Sequence, residues 1–117
     1  MSKKYYQQNL GRYGEELAKK YYESLGYQVI RQNYRTRYGE LDLVVQKGQE
    51  ILVVEVKTRQ GKKFGYGEEI VNQEKLNHII QTYQILALEL KLGTYYEIEI
   101  CVIELDCSKK SIKRFLV

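Results

Sequence analysis

The sequence predicts an α/β protein, a mixed sheet carrying helices, with the element order α-β-β-β-α-β-β. Two long segments repeat apolar residues at three- and four-residue steps, the period of one helical face. Shorter segments are strand-like runs, either alternating or apolar throughout. The 117 residues have the size of one domain with its own core, so we expect a single domain over residues 1–117.

The first helix is predicted from about Tyr5 to Leu25. Gly26 follows directly and is typical of the position just after a helix. At about 100° per residue, Glu15 lies on the flank of the apolar stripe, and Glu16 lies well away from it. The stripe itself consists of Leu10, Tyr13, Leu17, Tyr21 and Leu25.

Glu15 has two interpretations. A carboxylate on the flank of a helix can reach round the core toward a neighbouring sheet. Alternatively, Glu15 pairs on the surface with Lys19, four residues later, which stabilises a helix by only about 0.2–0.5 kcal/mol. The spacing leaves both interpretations open.

Three strands are predicted next, at Tyr27–Ile30, Glu40–Gln46 and Glu50–Lys57. The last two suit an antiparallel hairpin with a short turn at 47–49, where Gly48 lies between Lys47 and Gln49.

The second half of the chain adds one helix and two strands. The helix is predicted from Asn72, a plausible N-cap, to Lys91, and Gly93 ends the segment. Strands are expected at Tyr96–Leu105 and Ile112–Val117. Proline is absent, so Gly, Asn and Asp mark the turns.

Carboxylates interrupt the two strands of the hairpin. Because strand side chains alternate, Glu40 and Asp42 share one face, with Leu41 and Leu43 on the other. The second strand has a face made of Ile51, Val53, Glu55 and Lys57.

Paired strands would bring Asp42 and Glu55 into one small volume, with Lys57 beside them. Two close carboxylates repel each other and need a cation to stay ionised, and a hard divalent ion bound through oxygen ligands suits them. The alternative is a structural ion-pair cluster of these carboxylates with Lys57 and an arginine.

Basic residues flank the carboxylates on both sides in sequence. The net charge is +4 and the pI is about 9.0, which fits a polyanionic partner. Basic residues on both sides of the carboxylates suit a site that holds phosphate near a metal. Alternatively, these residues belong to two ordinary solvated loops. The second of these loops is predicted at Thr58–Glu69, contains three glycines and is expected to be mobile. The basic residues are Arg31, Arg35 and Arg37 before the motif, and Arg59, Lys62 and Lys63 after it.

Several other classes of protein and site are disfavoured. Cys101 and Cys107 form neither a disulfide framework nor a CxxC metal site, and Cys101 is expected to be a buried thiol. The single histidine, His78, is expected on a helix surface without a catalytic role. Apolar runs long enough for a membrane helix and a signal-peptide core are both missing from the sequence. A cytoplasmic protein with no membrane partner is therefore expected.

The order of these motifs resembles the PD-(D/E)XK restriction-endonuclease-like superfamily. The carboxylate of a first helix is followed by an Asp and then by Glu-x-Lys, here Glu15, Asp42 and Glu55-Val56-Lys57. More closely, the chain resembles the bacterial YraN family of predicted endonucleases over almost its whole length. The matching segments are 11–18, Gly26-Tyr27, Asn33-Tyr34-Arg35, Gly39-Glu40-Leu41-Asp42-Leu43 and 54–59, and more weakly Gly67 and the helix of Lys75.

This resemblance implies a restriction-endonuclease-like sheet flanked by helices, similar to archaeal Holliday junction resolvases. It also implies a Mg²⁺- or Mn²⁺-dependent endonuclease that hydrolyses DNA phosphodiesters. Asp42, Glu55 and the backbone carbonyl of Val56 would bind the metal. Lys57 would orient or help deprotonate the attacking water, and Glu15, turned toward the site, would ligate metal or orient water.

Other residues would support this site. Glu40 would lie just behind it or hold an arginine of the Arg35/Arg37 loop. Backbone phosphates would be contacted by Arg35, Arg37, Arg59, Lys62 and Lys63. Since nothing in the sequence reads bases, selectivity should follow DNA structure, such as branches or junctions, rather than sequence.

The chain also departs from the family. Glu97-Ile98-Glu99 replaces a more usual Arg-Phe-Asp in the late strand, so that segment receives no function. Leu41 stands where the superfamily motif has proline, as is common in this family. Two other function classes stay open: a nucleic-acid-binding module without turnover, and a protein-interaction domain. The oligomeric state also stays open, with a homodimer as one alternative.

Overall fold

The computed structural model describes residues 3–61, 71–106 and 108–117. Its helices and strands follow the predicted order, so the α/β class is confirmed. Neither helix combines the length and the apolar composition that a membrane crossing requires, within the residues described. The elements are α1 (Lys3–Ser24), β1 (Gln28–Thr36), β2 (Gly39–Lys47), β3 (Glu50–Gln60), α2 (Gln73–Leu90), β4 (Glu97–Leu105) and β5 (Lys110–Leu116).

The five strands form one mixed sheet in the spatial order β1-β2-β3-β4-β5. Neighbouring strands are antiparallel except β3 and β4, which run parallel and are joined through α2. This crossover brings the N-terminus of α2 toward the end of β3. In open α/β sheets, ligands commonly bind beside the carboxyl ends of parallel strands.

One helix covers each face of the sheet. Ala18 and Tyr22 of α1 pack in a core cluster with alternate strand residues such as Val54. Ile79 and Tyr83 of α2 pack in a second cluster on the opposite face. Because β3 contributes residues to both clusters in alternation, it is buried on both sides, which explains its nearly continuous apolar sequence.

The helix ends are formed largely as the sequence predicts. Gly26 has a φ of +96°, its N–H donates to the carbonyl of Glu23, and the N–H of Tyr27 donates to that of Tyr22, a Schellman motif. The Asn72 side chain caps α2 by accepting from the Lys75 N–H. α2 ends at Leu90, one residue before its predicted end, and Lys91 adopts the left-handed conformation that follows it.

The first strand is longer than predicted. It reaches Thr36, so Arg31 and Arg35 lie in a strand rather than in a loop. Its pairing with β2 shifts between Val29 and Arg31, and Asn33 has a φ of +54°. As an edge strand of alternating polar residues, β1 lacks the apolar pattern that would have predicted it.

The third strand also continues past its predicted end. Thr58, Arg59 and Gln60 pair with β4, so the segment after Lys57 begins as a strand and not as a loop. The rest of the predicted loop, with Lys62, Lys63 and its expected mobility, lies outside the described residues.

Three residues judged to have no catalytic role have structural explanations. Cys101 is fully buried in the α1-side core, as expected, and burial raises the pKa of its thiol to about 11. His78 is exposed on α2, also as expected. Glu99 accepts hydrogen bonds from the hydroxyl of Tyr22 at 2.7 Å and from two nitrogens of Arg114, at 2.8 and 2.9 Å. It therefore anchors β5 to the core.

Gly14 sets the closest approach of α1 to the sheet. A Cβ atom built on Gly14 would overlap the Thr58 hydroxyl oxygen of β3, whereas one on Gly11 would meet nothing within 4 Å. Glycine thus allows the helix to lie against the strand and places Glu15, the next residue, beside the sheet.

We expect Gly14→Ala to destabilise the fold and Gly11→Ala to stabilise it. The first substitution forces α1 away from β3 and should lower the free energy of unfolding by about 2 kcal/mol, as overpacking does. The second only improves helix propensity and should raise it by about 0.5–1 kcal/mol. Urea unfolding followed by circular dichroism measures both. Equal stability of the two variants would contradict the close contact between Gly14 and Thr58.

Candidate active site

The candidate site lies where β2 and β3 separate. Their last backbone pair is Leu43 with Val54, although Asp42 and Glu55 are next in register. Instead of pairing through its backbone, Asp42 accepts a hydrogen bond at Oδ2 from the Val56 N–H, at 2.9 Å. The side chain thus occupies the position that a neighbouring strand would have taken.

Strand alternation breaks at the same point. Leu41 packs in the α2-side core and Leu43 in the α1-side core, so the prediction that they share one face is wrong. The break lies where the pairing of β2 with β3 ends, so β3 no longer fixes the side-chain direction of Leu41. Glu55 keeps the predicted face of β3, because it meets Lys75 of α2.

Glu55 is the most buried carboxylate of this region, with an exposed fraction of 2%. Its Oε2 lies 3.4 Å from the Lys75 ammonium, and its Oε1 is buried without a hydrogen-bond partner. Burial raises the pKa of Glu55 to about 7, and the charge of Asp42 adds to this effect, while Lys75 opposes it.

The carboxyl groups of Asp42 and Glu55 lie close enough for each to influence the pKa of the other. Burial also raises the pKa of Asp42, against the opposing hydrogen bond from Val56. Two ionised carboxylates can donate nothing to one another. A proton or a cation held between the two carboxyl groups would therefore relieve their repulsion.

Glu15 approaches the pair from the α1 side. It is half-buried, and its pKa is raised by burial first and by the charge of Asp42 second. Glu16 is exposed and accepts a weak hydrogen bond from Gln32, at 3.4 Å. Glu15 therefore lies near Asp42 while Glu16 faces outward, which favours the first interpretation of Glu15 over the surface pair with Lys19.

Asn33 holds Glu15 in this position. With its amide nitrogen oriented toward the acceptors, Asn33 donates to Glu15 at 3.1 Å and to Glu40 at 3.3 Å. Glu40 is also paired with Arg35 at 3.0 Å, so it takes the role of an arginine partner. Arg37 lies further out, where it contacts the hydroxyl and ring of Tyr38.

Lys75, and not Lys57, is the lysine that pairs with Glu55. Lys57 is exposed, and its charge is the last among the influences on Glu55, whereas Lys75 makes the ion pair. Sequence reasoning missed Lys75, although a signal existed. A cation in the first turn of a helix opposes the helix macrodipole, which indicates a neighbouring anion.

The donor set suits a magnesium-like ion. Asp42 and Glu55 supply carboxylate oxygens, and Mg²⁺ usually takes one or two carboxylates while keeping waters and substrate phosphate oxygens as its other ligands. Within residues 3–61, 71–106 and 108–117, no group of three or more His, Cys, Asp or Glu side chains is arranged to hold a metal. A site of two carboxylates agrees with the usual ligand set of Mg²⁺ and with the lack of a larger group of such side chains among the described residues.

The fold and this site define the class: an α/β protein with a buried carboxylate pair where two strands of a mixed sheet separate. A sequence model of the uncharacterised protein family UPF0102 matches residues 14–115. The chain belongs to this family, and its resemblance to the YraN-like group is confirmed. The family description names no activity.

Bacterial relatives support this assignment. UPF0102 proteins of Desulfitobacterium hafniense and Caldicellulosiruptor bescii are 40% and 37% identical to the chain. These matches cover 79% and 83% of this chain and 74% and 83% of the relatives. A UPF0102 protein of Syntrophomonas wolfei is 49% identical over 70 residues, but the match spans only 61% of its length.

Proposed function

We propose that this protein is a divalent-metal-dependent endonuclease that hydrolyses DNA phosphodiesters. The observation that supports the proposal is the buried Oε1 of Glu55, which has no hydrogen-bond partner and belongs to a carboxyl group whose pKa is raised by the charge of Asp42. Asp42, Glu55 and the backbone carbonyl of Val56 would hold Mg²⁺ or Mn²⁺. When bound, such an ion polarises a phosphate and lowers the pKa of an attacking water.

The energetic cost of this pair supports a functional role. Burying two carboxylates side by side destabilises the fold, and an apolar pair would remove that cost. Lys75 satisfies only one of the four oxygens, and Val56 another. A purely structural ion-pair cluster would be expected to satisfy the buried Oε1 as well.

The surrounding side chains suit phosphodiester chemistry. Lys57, on the same strand face as Glu55, would balance phosphate charge and orient or help deprotonate the water. Glu15, whose pKa is raised by the charge of Asp42, would orient water beside the two metal ligands. Residues proposed to contact backbone phosphates are Arg35, Arg37, Arg59, Lys62 and Lys63.

We propose selectivity for DNA structure, such as branched or junction DNA, because phosphate contacts carry no sequence information. Arg35 and Arg37 lie at the edge of the sheet and in the turn that follows. Binding of DNA without turnover is the second candidate function, and a homodimer would suit a substrate with two strands to cut.

The proposal is tested with purified protein, Mg²⁺ or Mn²⁺, and nicked, branched and single-stranded DNA. We expect cleavage that needs the divalent ion and stops with a chelator. The preferred substrate should be the same for unrelated sequences of equal structure. Salt-sensitive DNA binding without any cleavage would favour the non-catalytic module, and no DNA binding at all would contradict both.

A further inference from the structure

Lys75 reaches a buried carboxylate from the surface of α2. Its side chain is 46% exposed and that of Glu55 is 3% exposed, with 3.4 Å between the ammonium and Oε2. Lys75 lies in the first turn of α2, three residues after the Asn72 cap. Its flexible stem therefore has room to move, while Glu55 is fixed in the sheet.

This position is unfavourable for α2 on its own. The N-terminal turn of a helix carries a partial positive charge, so a cation there costs about 0.3–1 kcal/mol. The ion pair with Glu55 offsets that cost, and the helix end itself adds positive potential over the site. Lys75 and the helix end thus both favour an anion at this place.

Charge balance shows what would happen to the ion pair in a loaded site. Asp42 and Glu55 carry two negative charges when ionised, and Lys75 offsets one of them. A divalent ion on these carboxylates would neutralise both, which leaves the ammonium of Lys75 without a counter-charge. The anion that would then be nearest is a phosphate of the bound substrate.

We propose that Lys75 is a counter-ion that exchanges partners: it pairs with Glu55 in the metal-free site and contacts a substrate phosphate once the divalent ion occupies the carboxylates. This inference rests on the proposed function, because it needs both the ion and a phosphodiester. Lys57 is the less suitable residue for this role, since within the described part of the chain no ion pair joins it to Glu55.

The first test is Mn²⁺ affinity without DNA, measured by calorimetry at about pH 8.5, where carboxylates are ionised. Lys75→Met should have an affinity for Mn²⁺ at least about threefold higher than that of wild type, because a competing positive charge is gone. Lys75→Arg keeps the charge and should resemble wild type. Lys20→Met, at an exposed position of α1, removes the same net charge and should change nothing.

The second test is DNA affinity of the same variants with a chelator and with Ca²⁺ as a substitute ion. With Ca²⁺, Lys75→Met should bind DNA about threefold to tenfold more weakly than Lys20→Met, as expected for one lost phosphate contact. With the chelator the two variants should agree, because Lys75 is then paired with Glu55.

The outcomes separate this inference from the proposed function. Wild-type protein that binds no divalent ion would overturn the proposed function itself. Wild-type protein that binds the ion, with Lys75→Met of equal metal affinity, would overturn only the exchange. An equal loss of DNA affinity with chelator and with Ca²⁺ would also overturn it, because Lys75 would then be an ordinary phosphate contact.

Discussion

Asp42→Asn should abolish divalent-dependent DNA cleavage and leave DNA affinity within about threefold of wild type. In the proposed mechanism the carboxylate holds the metal ion, whereas most of the affinity for DNA would come from neutralisation of phosphates by Lys and Arg. The loss of rate should be at least about a hundredfold, since electrostatic stabilisation by a bound ion contributes several kcal/mol. Initial rates on the preferred substrate and a binding isotherm measure the two quantities.

A matched control is Glu16→Gln, which removes one exposed carboxylate from the neighbouring helix surface. It should cleave as wild type does. Equal cleavage by wild type and Asp42→Asn, each purified to remove contaminating nucleases, would rule out the proposed mechanism. Loss of DNA binding together with cleavage would show instead that Asp42 maintains the structure of the site, through its hydrogen bond to Val56.

Glu55→Gln should make the metal-free protein more stable at about pH 8, and in the proposed mechanism it should also abolish cleavage. The pKa of Glu55 is about 7 in the fold, against 4.5 as its ordinary value. The folded state therefore binds the proton more tightly than the unfolded state. In the wild type, stability should fall as pH rises from about 5 to about 8, by roughly 3 kcal/mol from this group.

Glutamine has no charge to bury, so the variant should lack this pH dependence. The two proteins should be similar in stability at about pH 5, and the variant should exceed wild type at about pH 8. Urea unfolding in the presence of a chelator measures the difference, with Glu16→Gln as the exposed control. If wild type is as stable at high pH as at low pH, Glu55 is not a strained carboxylate, and its burial has another explanation.

The helices and the hairpin could be predicted from the sequence because their patterns are local. The apolar stripe of α1, the Asn72 cap and the Gly48 turn each act over a few residues. Only the start of the edge strand β1 could be predicted, since its later, mostly polar residues pair with β2 through the backbone. The break in alternation at Asp42 depends on how β2 and β3 separate, which no local pattern encodes.

Of the candidate site, the carboxylate pair could be predicted from the sequence, but the residues that contact it could not. Asp42 and Glu55 stand in register on a hairpin, so their proximity follows from strand geometry. Lys75 and Asn33 contact the carboxylates only because α2 and β1 pack there. Those contacts join residues far apart in sequence, and side-chain type alone does not identify them.

Anomalous diffraction from crystals soaked in Mn²⁺ would show whether Asp42 and Glu55 form a divalent-cation site. We expect an anomalous peak between the two carboxyl groups, with metal–oxygen distances of about 2.1 Å and displacement of Lys75 from Glu55. The peak should be missing from crystals of Asp42→Asn. Ordered crystals that bind Mn²⁺ only elsewhere, with the ion pair of Lys75 and Glu55 intact, would contradict a divalent-cation site at Asp42 and Glu55.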